Sequence, residues 1–368
     1  MTTESCCEGA TFLSPQESQG ESWVSGCLDH PRGKVLQVET KWTRTDSIGQ
    51  LRARTTGFRM RYRIEPGLYA VGRPDAESPV LVSANYKLSF DHLRRELTGL
   101  DAWLLVIDTD GINVWCAAGK GTFGTVEVVN RIRSVELDQI VSHRRIILPQ
   151  LGAPGVHAHL IQESTGFRVL YGPVLACDIP SYMQAGYKAT PEMRAARFPL
   201  LSRLVVTPME LNPAFKKLFV PSLVLLALFG LQKEGILFQN IIIPGLPFLL
   251  LGLLAVFIGA FLVPVLLPYI PFRSFALKGL FLCTILFAPG FPLISPALHN
   301  SPWLLASVYL LFPALSSYLA LNFTGATTFT NISGVKKELR ISIPIYLTAA
   351  AVSGILLIFY KLTTWGVL

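Results

Sequence analysis

The sequence predicts an α/β domain with a mainly parallel sheet, followed by an all-α membrane domain of five transmembrane helices. Three observations carry this. Hydrophobic residues are 51% of the 368-residue chain and charged residues only 15%. Just nine Asp, Glu, Lys or Arg residues follow Lys217, so the two halves belong in different solvents. Between residues 67 and 171, short apolar runs alternate with amphipathic stretches, the pattern of strands and helices in one layered domain.

Residues 1–63 are rich in Ser, Thr, Glu, Arg and Gly with no sustained period, which predicts a partly disordered lead-in with some irregular or β structure. The α/β domain is expected over 64–212. Strands are predicted at 67–72, 79–84, 102–108 (AWLLVID), 145–148 and 167–171, with helices at 90–97 and 156–162. In such sheets ligands sit beyond the carboxyl ends of strands, and the turn after Asp108 is such a place. From 213 to 368 five apolar runs reach the ~20 residues that cross a bilayer: 214–231, 244–268, 275–294, 302–321 and 341–362. Pro264, Pro289, Pro292 and Pro313 fall inside these runs and predict kinks or breaks.

Net charge is +8, but the first 217 residues are nearly balanced, with 25 basic and 22 acidic side chains. The surplus sits among the apolar runs, so no nucleic-acid partner is expected. Lys216, Lys217, Arg273, Lys278, Lys336, Lys337 and Arg340 make alternate loops positive, whereas the first and third loops hold only Lys233. By the positive-inside rule this is a multi-pass protein of the cell (inner) membrane, its N-terminal domain cytoplasmic and its C-terminus outward. Residues 1–20 are polar and show no export-signal pattern. The spans carry no Asp or Glu in their interiors, which argues against proton- or ion-coupled transport. The six cysteines, Cys6, Cys7, Cys27, Cys116, Cys177 and Cys283, have neither disulfide-framework nor zinc spacing.

The segment 108–124, DTDGINVWCAAGKGTFG, concentrates the chemistry. Its first part opens a helix capped by Asp110 or Asn113, which places Cys116 near the positive helix end with Lys120 one turn on. Both influences favour thiolate, the form that binds metals. Two glycine patterns here are decoys. Gly119, Gly121 and Gly124 match a dinucleotide fingerprint but begin too far from the strand, and Val114 and Gly121 break the phosphate-loop pattern around Lys120.

Asn113, Val114, Trp115, Cys116, Ala117, Ala118, Gly119 and Lys120 match, without a gap, the hallmark of the corrinoid protein of the mercury-methylating pair. From about Gly67 onward the chain resembles that family, which is related to the corrinoid iron–sulfur protein of acetyl-CoA synthesis. The resemblance implies a Rossmann-like corrinoid-binding domain fused to five spans. It implies a corrinoid (cobalamin or a relative) under a cap helix, with Cys116 as lower axial ligand to cobalt. Asn113, Val114, Trp115 and Lys120 would brace helix and corrin, and Ala117, Ala118 and Gly119 would stay small where the macrocycle approaches. Thr122 and Gly124 continue the segment. Gln150 and Gly152, in the turn after the strand Arg145–Leu148, line the cofactor or simply make a strand-to-helix turn. The His-based cobalamin motif DxHxxG is absent, since His30 and His92 directly follow Asp29 and Asp91.

The implied activity is that of a corrinoid-dependent methyltransferase, which takes a methyl group from a folate-linked donor and passes it to mercuric ion, giving methylmercury. The methyl leaves cobalt as a carbanion equivalent or a radical, and a trans thiolate donates charge to the cobalt left behind. A small ferredoxin-like iron–sulfur protein is the implied reductant, and the lipid bilayer is the setting. Two alternatives stay open: a corrinoid methyl carrier for another thiol or metalloid acceptor, and a permease or sensor with a Rossmann-like regulatory domain. The vicinal Cys6–Cys7 pair suits soft metal ions but lies in a polar tail. The loop 322–331 either docks on the soluble domain or is a polar connector.

Overall fold

The computed structural model describes residues 14–15, 18, 20–294, 298, 300–327, 329–330 and 332–368. Cys6 and Cys7, and Thr328 and Asn331 of the loop 322–331, lie outside the described residues. The chain divides into two compact units, 1–197 and 198–368.

The first unit is built on a seven-stranded sheet of order β1-β2-β3-β5-β4-β6-β7. The strands are β1 (Val24–His30), β2 (Gly33–Val38), β3 (Gly67–Val71), β4 (Val80–Ala84), β5 (Ala102–Ile107), β6 (Arg145–Leu148) and β7 (Arg168–Tyr171). The sheet is mainly parallel, as expected, but mixed: four of its six pairings, including β2 with β3, run parallel. β5, β4, β6 and β7 run parallel, but β3 is antiparallel to β5, and β1 and β2 form an antiparallel hairpin. Every residue of β3, β4 and β5 is buried, as expected where both faces of a sheet are covered. On one face lie Ala117, Val128, Ile132 and Ile161, from helices α3 (Val114–Lys120), α4 (Thr125–Ser134) and α6 (Ala158–Thr165); α5 (Leu137–Ile140) joins them. On the other lie Phe90, Leu93 and Tyr182, from α2 (Lys87–Glu96) and α7 (Ile179–Gln184), with Trp23.

The stretch before Ile64 does more than lead in. It supplies β1, β2 and helix α1 (Arg44–Thr55), which starts with a reciprocal cap between Thr43 and Asp46. A buried ion network ties this stretch to α2. Arg94 donates from Nη2 to Asp46 (2.6 Å), from Nε to Asp91 (2.8 Å) and from Nη1 to the Glu39 carbonyl (2.5 Å). Lys87 donates to both Asp91 oxygens at 2.7 and 2.8 Å, and Tyr62 to Oδ2 at 3.1 Å. Buried charges persist only when paired in this way, and the network links α1 to α2 through Asp46 and Arg94. Asp91 is fully spent in this network. Its neighbour His92 is pushed down to about 4 by burial and by Arg54 and Arg95.

Among the described residues of the second unit, four helices are long and apolar enough to cross a membrane: Leu200–Gly230, Phe238–Val265, Pro302–Asn322 and Ser333–Thr364. The expected third span is the 20-residue helix Phe275–Ile294, of which the stretch Phe275–Phe287 counts as apolar among the described residues, so four of the five expected spans meet the length requirement there. Close helix crossing explains the small residues. A Cβ on Gly259 or Gly279 would lie 2.5 or 2.7 Å from the Ser316 carbonyl oxygen. Ser317 donates to the Ala276 carbonyl at 2.7 Å, and the Ser307 and Ser353 hydroxyls are 2.5 Å apart. Pro264 follows a π-helical turn, Ile258–Leu262, while Pro313 sits inside a continuous helix. Lys361 is buried and caps the first span, donating to the Phe229 and Leu231 carbonyls at 3.0 and 2.7 Å.

Candidate functional site

The site forms beyond the carboxyl ends of β4, β5 and β6, and begins with a single buried amide. Asn85 follows β4 and is 2% exposed. Its Oδ1 accepts from Thr109 N (3.0 Å), Thr109 Oγ1 (2.9 Å) and Gly111 N (3.0 Å), and its Nδ2 donates to Asp108 Oδ1 (3.0 Å). Glu127 of α4 accepts from Asp108 N at 2.9 Å and pairs with Arg131. These bonds hold a tight turn in which Asp110 and Gly111 both take positive φ, 57° and 68°. The turn delivers the chain to Asn113, whose side chain accepts from Cys116 N at 2.9 Å. Of the two expected caps, Asn113 is the one used. Helix α3 is seven residues long and ends on Gly121 at φ 89°, the left-handed cap that glycine adopts without strain.

The turn after β6 closes under this helix. It is a short 3₁₀ helix, Gln150–Gly155, pressed against α3. A Cβ on Gly155 would lie 2.2 Å from the Phe123 carbonyl oxygen and 3.0 Å from Ala118 Cα, so only glycine fits. Gly152 is buried, and a Cβ there would strike the Phe123 ring at 2.5 Å. Ala117 and Ala118, at 0% and 7% exposure, therefore face the protein. Their small size answers to this backbone approach, whereas the cofactor side was the expectation. The outward face carries Asn113, Gly119 and Lys120, all exposed, with Cys116 half-buried between them; Val114, Trp115, Thr122, Gly124 and Gln150 are also half-buried. The site thus gathers residues 113–124 and places the turn holding Gln150 and Gly152 beneath them. The Thr122 hydroxyl oxygen is buried without a hydrogen-bond partner among the described residues.

The electrostatics differ from the expected thiolate. Burial pushes the Cys116 thiol up, and outweighs Lys120, Arg59 and a hydrogen bond from the Asn113 side chain, all of which pull it down. A seven-residue helix has little dipole to offer, and Asn113 already occupies the Cys116 N–H. Tyr86 stands close to both Cys116 and Arg59. Burial raises its hydroxyl, Arg59 and Arg54 oppose, and the cysteine adds to the rise. Arg59, Tyr86 and Asn85 were not legible as site residues. They lie 57, 30 and 31 positions before Cys116, and no local pattern marks them.

A single sulfur donor cannot chelate a metal, and among the described residues no group of three or more His, Cys, Asp or Glu is placed to do so. The outward face of α3 beside Cys116 carries one small residue, Gly119, between the longer Asn113 and Lys120. Residues 50–183 match the family model of the CO dehydrogenase/acetyl-CoA synthase delta subunit. The chain is 29% identical over 168 residues to the acetyl-CoA decarbonylase/synthase complex subunit gamma of Methanopyrus kandleri, an alignment covering 45% of this chain and 36% of the relative. With the corrinoid/iron-sulfur protein large subunit of Moorella thermoacetica it shares 33% identity over 125 residues, covering 33% of this chain and 28% of the relative. The first unit is related to the corrinoid/iron–sulfur proteins.

The subunit gamma of Archaeoglobus fulgidus is 31% identical over 134 residues, covering 36% of this chain and 28% of its own length. The chain thus spans about a third of the length of the curated relatives it matches. The match begins at residue 50, inside α1, so Arg54 and Arg59 belong to the shared region. The four candidate spans lie beyond the matched family region.

Proposed function

We propose that the first unit carries a corrinoid that Cys116 would hold through its sulfur, and that the protein is a membrane-anchored methyltransferase acting on mercuric ion. The observation that carries the corrinoid is the placement of Cys116: one sulfur on the outward face of a cap helix, at the carboxyl edge of the sheet, in a segment related to corrinoid proteins. Asn113, Gly119 and Lys120 would meet the macrocycle, Val114 and Trp115 would steady α3, and the unpartnered Thr122 hydroxyl would find an acceptor or donor there. When bound, the corrinoid supplies a cobalt centre able to carry a methyl group. Burial favours the protonated Cys116 thiol, Lys120 and Arg59 oppose it, and the thiolate form would be the one able to hold a metal.

The choice of mercuric ion rests on the match of residues 113–120 to the mercury-methylating hallmark. A cytoplasmic first unit, a folate-linked methyl donor and a ferredoxin-like iron–sulfur reductant complete the reading. The second reading is a corrinoid methyl carrier for a thiol or another metalloid acceptor; the acetyl-CoA decarbonylase/synthase names of the relatives are in keeping with an acceptor other than mercury.

The test is the absorption spectrum of the purified chain with cobalamin, beside Cys116→Ala. A sulfur-to-cobalt band lost in the variant is expected; no cobalamin uptake by the intact chain defeats the reading. Methyl transfer from the loaded protein to mercuric ion, compared with thiol acceptors, then separates the two acceptor readings.

A further inference from the structure

Residues 41–63 hold seven basic side chains, Lys41, Arg44, Arg52, Arg54, Arg59, Arg61 and Arg63, against one acid, Asp46. Asp46 is 4% exposed and spent on Arg94 and Lys87. Arg44, Arg52, Arg61 and Arg63 are exposed, and among the described residues none lies within ion-pair distance of a carboxylate. Glu21 and Glu65 border the same cavity of about 470 Å³ as Arg52, Arg61 and Arg63, and two acids leave this surface strongly positive.

Three large apolar side chains interleave with these cations. Ile48 is 57% exposed, Leu51 63% and Met60 67%. Helical spacing puts Arg44, Ile48 and Leu51 on one stripe of α1, with Arg52 beside it, and Met60 ends the 3₁₀ helix Gly57–Met60 that follows. The exposed Ile, Leu and Met add an apolar component that a purely electrostatic contact would not use. Cations around a few apolar side chains suit a surface whose basic residues meet lipid phosphates while the apolar ones touch the headgroup boundary. The buried Asp46–Arg94–Asp91 network fixes α1 to the core, so this face is presented rigidly.

We propose that the outward face of α1 and the adjoining 3₁₀ helix is a docking surface for an anionic phospholipid bilayer. It rests on the membrane reading of the apolar helices in the second unit. Arg59, which faces Cys116, is set apart from this role.

The test uses the full chain in nanodiscs of phosphatidylcholine alone or with one part in three of phosphatidylglycerol, read by hydrogen–deuterium exchange. Amides of 44–60 are expected to exchange several-fold more slowly in the anionic discs. The double variant Arg44→Glu/Arg52→Glu and the double variant Leu51→Ser/Met60→Ser should each abolish that difference, and raised salt should weaken it. Equal exchange in the two discs, with the spans protected as embedded helices, overturns the docking surface. Protection by added polyglutamate in neutral discs as strong as that by anionic lipid overturns it in favour of an acidic protein partner. Unprotected spans overturn the membrane reading, and this inference with it.

Discussion

Replacing Asn85 by alanine removes the acceptor that holds the turn before the cap helix. Three groups donate to its Oδ1, but their losses differ. Thr109 Oγ1 has a second acceptor, the Ile112 carbonyl at 2.7 Å, and loses nothing it cannot recover. Among the described residues the backbone N–H groups of Thr109 and Gly111 have only Asn85 as acceptor, and both residues are buried. A buried donor left without a partner costs about 1–3 kcal/mol, so two set a range of about 2–6 kcal/mol. Water entering the space left by the amide moves the result toward the lower half, about 3 kcal/mol. That energy is local, because the bonds serve the positive-φ pair Asp110–Gly111 and not the strands. Opening of residues 109–120 should therefore become roughly a hundredfold more frequent, since each 1.4 kcal/mol is tenfold. Hydrogen–deuterium exchange of the full chain reads this directly, with β5 and α2 as internal references. Asn85→Asp keeps the acceptor but sets a carboxylate against Asp108 Oδ1, and should fall between alanine and the parent. Unchanged exchange across 109–120 in Asn85→Ala would refute the assignment of this turn to Asn85.

Gly155→Ala drives a methyl group into the Phe123 carbonyl oxygen and Ala118 Cα, backbone atoms with nowhere to move. It should cost about 1–3 kcal/mol and lower corrinoid uptake, both measured by thermal melting with and without cobalamin; an unchanged melting point would show that the turn tolerates a Cβ. His92 is held down to about 4 from an ordinary 6.5. The folded state therefore refuses a proton that the unfolded chain accepts, and stability is lost as pH falls below about 6.5 and levels off below about 4. The loss is at most roughly 3 kcal/mol, reduced because the ring is partly exposed. His92→Gln should flatten the decline in α2 protection between pH 7 and pH 4.5, and an identical decline in both proteins would remove His92 as its cause.

Much of the fold was legible because its causes are local. The buried run 102–108 is β5, Arg145–Leu148 is β6 with the same ends, and the apolar runs after 213 are helices. The cap on α3 was legible for the same reason, since Asn113 and Cys116 are three residues apart. The antiparallel course of β3 was not, because a buried strand reads alike in either direction. Nor was the inclusion of residues before Ile64. Their fold depends on Arg94, forty-eight positions beyond Asp46, and composition shows only a polar, arginine-rich stretch.

By itself the sequence determined the order of an α/β unit and an apolar helical unit, and the short cap helix that presents Cys116. Periodicity and spacing record what neighbouring residues must do. The tertiary structure decided which distant groups reach that helix: Asn85 beneath its approach, Gly155 against its inner face, and Arg59 within electrostatic reach of its sulfur. It also reversed the expected charge preference of Cys116. The cost of burying a charge depends on everything packed around it, and that sum exists only once the chain has folded.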